Sequence, residues 1–218
     1  MDAEPEIFMM TAVGKDYSIN WVLFTSKGSD EAFSQIYYEH YDMLYHVGLK
    51  YTSDIQVVED SIQNIFIYLL RNRKRLQPVI NVGGYLLKSF RRQLFLDLKK
   101  QEKLFFFNKS TEAQFDYFNN TEPSVFEQED NTELQTALKN SVCKLSARQQ
   151  EIIYLRYDCE MEYEEIARIL DISVESCYKS IYRSIKTIKA DIEQAFVKRK
   201  DLFFWLVFLC RNKITKIS

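Results

Sequence analysis

Six residues near the C-terminus, Ser173, Glu175, Ser176, Lys179, Arg183 and Lys186, are the best equipped for chemistry, and that chemistry is recognition rather than catalysis. They fall at helical spacing just after a three-residue turn. Hydrogen-bonding side chains of this kind read base edges, whereas Arg and Lys hold phosphates. Ser173 fits the N-cap of the helix that follows. A helix start of that sort points free N–H groups outward, toward a phosphate or a base edge. A structural hairpin with a solvated basic face would show the same spacing, so other parts of the chain must decide between the two.

Candidates for bond-making chemistry are few. Glu59, Asp60 and Gln63 read as the polar outer face of an amphipathic helix, not as an acid/base cluster. The two histidines, His40 and His46, lack carboxylate partners at ligand spacing. Cys143, Cys159, Cys177 and Cys210 show no C-x-x-C spacing and read as filler in a reducing compartment. No phosphate-binding Gly loop or nucleophile elbow is present. The sequence therefore predicts no enzyme, no metal, no cofactor and no small-molecule substrate.

The elements that must position the six residues are helices. Only five Gly and three Pro occur in 218 residues, and alternating patterns are almost absent. Apolar periodicity predicts helices at 30–51, 55–74 and 84–103, then at roughly 131–143, 146–157, 162–170 and 174–197. Ser146 and Gln149 have the spacing of a capping box. Val174, Cys177, Ile181, Ile185, Ile188 and Ile192 form one buried stripe, which leaves Lys179, Arg183 and Lys186 on another face. Before the turn, Ala167 is small enough to let two helices cross closely. Asp171 sits where such turns need a positive φ.

Charge divides the chain further. Residues 71–103 carry ten Lys and Arg against Asp97 and Glu102, and residues 110–138 carry seven acids and no Lys or Arg. The chain reads as all-α, with two small helical domains at 28–104 and 132–197 on a flexible acidic linker, 105–131. An extension, 1–27, precedes them and stays unassigned. A tail, 198–218, follows, and its "LFFWLVFLC" run is about half of a membrane span. That tail reads as an extra packed helix or as a shield over apolar surface, with basic flanks suited to a membrane surface. The "FFF" at 105–107 reads as packing on the domain. The N-terminus lacks the pattern of a signal peptide, which predicts an intracellular protein.

The stretch "LSARQQEIIYLRYDCEMEYEEIARILDISVESCYKSIYRSIKTIK" (145–189) resembles the C-terminal DNA-binding domain of extracytoplasmic-function sigma factors of the sigma-70 superfamily. Glu165-Ile166-Ala167 and Ile172-Ser173-Val174 carry the likeness. "VVEDSIQNIFIYLLRNRKRL" (57–76), "GGYLLKSFRRQLFLDLKK" (83–100) and "DEAFSQIYYEHYDMLYHVGLKYT" (30–52) resemble the helices of the family's N-terminal domain. Glu160 and Glu162 depart from the family, which often has Gly and a capping Ser there. Tyr178 and Ser180 replace frequent basic residues.

The resemblance implies a sigma2-like domain of three to four helices, followed by a sigma4-like helix-turn-helix domain. It implies promoter recognition, promoter melting and transcription initiation with core RNA polymerase. Asp60, Gln63, Asn64 and Phe66 would bind the polymerase, and Lys88, Arg91, Arg92, Lys99 and Lys100 the melted promoter strand. Ser173, Glu175, Ser176, Lys179, Arg183 and Lys186 would bind the more distant promoter element. Promoter DNA, core polymerase and an anti-sigma factor at the inner membrane are the implied partners, in a bacterial cytoplasm. The alternative is a helix-turn-helix regulator that acts without binding the polymerase.

Overall fold

The structure, a computed structural model, describes residues 18–104, 114–120 and 132–195. The expectations for the tail, for 105–107, for 121–131 and for most of the N-terminal extension lie outside the described residues. All regular structure among the described residues is helical.

The first domain opens with an element the periodicity did not reveal. Helix α1, Ile19–Val22, runs into a wide π turn, Leu23–Lys27, which Gly28 closes with a φ of 74°. A φ in that range costs glycine nothing, because there is no Cβ to clash. Trp21 is fully buried and donates from Nε1 to the Gln77 carbonyl at 3.1 Å. Two aromatics in a short segment dock it onto the domain; the segment has too few turns to show a period.

Helix α2 (Asp30–Leu49), α3 (Ile55–Asn72) and α4 (Val82–Leu104) follow the predicted pattern. Each starts at a side-chain cap. The Ala32 amide donates to Ser29 Oγ, the Val57 amide to Asp54 Oδ1, and the Gly84 amide to Asn81 Oδ1, all within 2.7–3.2 Å. Ile36, Leu44, Val47, Val58, Ile62, Leu69, Leu87, Phe90 and Leu94 fill the space between the three helices. Gly48 lets α2 meet its neighbours closely, since a Cβ there would lie 2.6 Å from Val58 Cγ1 and 2.9 Å from Phe90 Cζ.

Helices α5 (Thr132–Cys143), α6 (Ala147–Tyr157), α7 (Tyr163–Leu170) and α8 (Val174–Ala195) make the second domain. The capping box at Ser146 is present, its two bonds measuring 3.3 and 3.0 Å. Asp171 adopts a φ of 52° at the α7–α8 turn, as expected, and Glu160 adopts one of 54°. Ser184 lies fully buried within the apolar stripe of α8 because its hydroxyl donates to the Ser180 carbonyl one turn back.

The linker differs from the expected free tether. Its described part, 114–120, is fastened to both domains. Phe115 is 4% exposed, with its ring against Tyr51 on one side and Tyr154 on the other. The Asp116 amide donates to the Lys50 carbonyl at 2.8 Å, and the Tyr117 amide to Gln150 Oε1 at 3.0 Å. A buried aromatic flanked by backbone bonds gains enough to offset the ordering of so short a segment.

Candidate nucleic-acid interface

The sequence-defined stripe of α8 does face solvent. Ser173, outside the helix, accepts from the Ser176 amide at 3.1 Å and leaves both hydroxyls at the exposed helix start. Glu175, Ser176, Lys179, Arg183 and Lys186 are exposed, while Cys177, Ile181, Ile188 and Ile192 pack inward. Lys179 Nζ lies 2.6 Å from Glu175 Oε1. An exposed pair of this kind is weakly held and can exchange for a phosphate or a base edge.

Two residues on the same outward surface were not among the six candidates: Tyr178, noted only as a departure from the family, and Tyr182. Tyr178 is 49% exposed and Tyr182 70% exposed. Tyr178 stacks on Tyr163, and the Arg156 guanidinium lies 4.8 Å from the Tyr163 centroid. The i, i+4 spacing of the two tyrosines beside the basic stripe was the available signal. Aromatic faces and methyl-sized surfaces complement the thymine methyl in the major groove.

The five cations assigned to the melted strand divide into two groups. Arg92, Lys99 and Lys100 are exposed, with Lys100 paired to Asp97 within its own helix. Lys88, which is also exposed, and the half-buried Arg91 turn toward the second domain. Lys88 meets Asp171 at 2.5 Å, and Arg91 Nε meets Glu151 Oε1 at 2.8 Å. The Lys88 hydrogen bond holds the Asp171 carboxyl below its usual range. Burial first, and then the Glu151 charge, push the Tyr51 phenol well above its ordinary value, so it remains a donor.

The residues expected to bind the polymerase are exposed in part. Asp60, Gln63 and Asn64 are exposed on α3. Phe66 departs from the expectation: it is 4% exposed and packs edge-on against Phe33 and Tyr37. Its position turns it to the core stripe, so it can support that face but cannot touch a partner from it. Ile55, Ile67, Tyr68 and Leu70 are the exposed large apolar residues on the same helix. Among the described residues no His, Cys, Asp and Glu cluster is arranged to hold a metal. No helix among them is long and apolar enough to cross a membrane.

Comparison with known proteins agrees with this geometry. The family described as sigma-70, region 4 matches residues 135–188, which span α5 to most of α8. The sigma factor RpoE, solved in complex with the anti-sigma factor NepR from Bartonella quintana, is similar at 18% identity and a TM-score of 0.51. The match covers 78% of this chain and 99% of that one. CnrH, solved in complex with the cytosolic domain of CnrY, is similar at 16% identity and a TM-score of 0.51, over 80% of this chain and 96% of that one. No curated protein sequence matches the chain. Residues 135–188, whose capped, basic helix faces outward, thus match the sigma-70 region 4 family, and the chain shares the helical fold of these solved sigma factors.

Proposed function

We propose that the chain is a sigma factor that binds core RNA polymerase and directs it to a set of promoters. The outward basic face of α8, within the segment that matches sigma-70 region 4, is the observation that carries this reading. The start of α8 enters the major groove of the upstream promoter element. There Glu175, Ser176, Lys179 and Tyr178 meet base edges, while Arg183 and Lys186 hold phosphates. The first domain acts on both remaining partners. Asp60, Gln63 and Asn64 dock the polymerase, and Arg92, Lys99 and Lys100, joined by the exposed Arg71, Lys74 and Arg75 before α4, hold the unpaired strand.

The likeness to sigma factors solved with anti-sigma partners supports an anti-sigma partner here too, and with it a cytoplasmic site of action. Nothing in this role needs a covalent step by the chain itself, which serves as a non-enzymatic specificity subunit. Run-off transcription from genomic fragments with core polymerase tests the reading. Discrete transcripts that depend on this chain are the expected result. Their absence, with core polymerase failing to retain the chain, would overturn it.

A further inference from the structure

Helix α1 and its π turn pack against a basic loop as well as against the core. Between the end of α3 and the start of α4 the chain runs through "RNRKRLQPVIN", residues 71–81. Arg71, Lys74 and Arg75 are exposed, and so are Gln77, Pro78 and Ile80. A segment so open and charged has few buried apolar contacts of its own to order it. Pro78 lacks a backbone donor and restricts Gln77 to an extended shape.

Two contacts from the N-terminal segment hold this loop. The indole N–H of Trp21 donates to the Gln77 carbonyl at 3.1 Å, and the same ring meets Tyr85, in the first turn of α4, edge-on at 5.3 Å. Among the described residues, no other hydrogen bond ties 77–80 to the rest of the domain. The second contact is at Gly28. The Arg73 guanidinium lies where a side chain of residue 28 would begin, so glycine there serves a close approach as well as the positive φ. Arg73 is drawn inward to a half-buried position, while Arg71, Lys74 and Arg75 stay outward.

The two ends of the Trp21 bond differ in their access to water. The ring is fully buried, so its N–H needs an acceptor. Gln77 is exposed, and water can replace the indole on its carbonyl. An isosteric ring without the N–H therefore costs the fold little, yet it frees the loop.

We propose that Trp21 is a positioning residue for capture of the unpaired promoter strand: through the Gln77 carbonyl it holds loop 71–81 in its binding shape before the strand arrives. The role rests on the reading of the loop cations as strand contacts, but the tether itself does not. A loop ordered in advance removes an ordering cost from the binding step, and the difference appears as affinity. The cations are untouched by the tether, so the number of phosphates neutralised, and with it the salt slope, stays the same.

The test uses the full chain with Trp21→Phe, and with Trp21 replaced by benzothienylalanine, which keeps the ring volume and puts sulfur in place of the N–H. Ile62→Val, a buried change in mid-α3, controls for general loosening. Trypsin nicking within 71–75 of the free chain, read by mass spectrometry, reports the order of the loop. Anisotropy of a fluorescein-labelled random-sequence single-stranded DNA reports strand affinity across a salt series, with the chain assembled on core RNA polymerase and core alone as the baseline. Both replacements of Trp21 should speed nicking about fivefold and lower affinity about threefold or more, at an unchanged salt slope. Ile62→Val should match the wild type in all three. Unchanged nicking overturns the tether. Faster nicking with unchanged affinity overturns the positioning role, as does an Ile62→Val protein that behaves like the Trp21 variants. A slope that falls together with affinity shows a lost phosphate contact and overturns it too. If the wild-type assembly binds no strand above the baseline, the strand assignment of the loop fails, and the positioning role fails with it. Should Trp21→Phe fail to fold, the benzothienylalanine protein alone decides among these outcomes.

Discussion

Tyr178 lies flat on Tyr163, their ring centroids 3.8 Å apart with 16° between the planes. The stack joins the proposed recognition helix α8 to α7, and Arg156 backs the far ring. Such a pair contributes about 0.5–1.5 kcal/mol beyond its buried area. Tyr178→Ala should cost about 1 kcal/mol in stability and alter base preference in the upstream promoter element, while Tyr178→Phe should preserve both. Denaturant melts and a selection from a randomised promoter element check this. Equal preference in all three proteins would remove Tyr178 from the reading surface.

Phosphate contacts and base contacts leave different signatures. Lys186→Ala should weaken binding to every promoter alike and lower the salt slope by roughly 1. Lys179→Ala or Glu175→Ala should change which bases are preferred, since these two side chains share an exposed ion pair at the helix start. A substitution series from 174 to 180 that leaves every preference intact would sink the recognition-helix reading.

On α3 the polar face costs little to alter because water already solvates it. Replacing Asp60 and Gln63 together by Ala should leave the melting temperature almost unchanged and weaken retention by core polymerase. Phe66→Ala should behave in the opposite way. It removes a buried ring packed on Phe33 and Tyr37, at a cost of about 3–5 kcal/mol. A double variant that binds core as tightly as the wild type would refute the assignment of that face.

Gly48 supplies a packing test. A methyl group there would sit inside van der Waals contact with Val58 and Phe90. Gly48→Ala should therefore destabilise the first domain by about 1–3 kcal/mol, despite the better helix propensity of alanine. A more stable variant in equilibrium unfolding would show that the crossing is looser than drawn.

Alkaline conditions should weaken the fold. Burial, with the Asp158 charge second, pushes the Cys159 thiol up to about 12. The unfolded thiol titrates near about 8.5, so on raising the pH the unfolded chain gives up its proton first. The contribution is then complete below about pH 8.5 and declines from there toward about 12. Burial raises the phenols of Tyr51, Tyr117 and Tyr154 as well, which adds to the same decline. Denaturation midpoints should fall above about pH 8.5, and Cys159→Ala should soften the start of that fall. A midpoint that holds steady through about pH 11 would contradict the burial of these groups.

What the amino-acid sequence determined by itself was local and periodic. The spacing of Val174, Cys177, Ile181, Ile188 and Ile192 set the inward face of α8 and, by exclusion, the outward face of Lys179, Arg183 and Lys186. Caps at Ser146 and Ser173, and the positive φ at Asp171, followed from residue type and position alone. Tertiary structure decided the rest. Trp21 and Phe115 belong to segments too short for a period, and each is placed by a distant surface rather than by its own neighbours. Lys88 and Arg91 look identical to Arg92 and Lys99 in sequence, yet only the first two meet acids of the other domain. Glu151 is one glutamate among many until Tyr51, a hundred positions earlier, is brought against it. A helical period reports the angle at which a side chain leaves its helix, whereas a single polar contact between distant segments depends on where the whole second domain comes to rest.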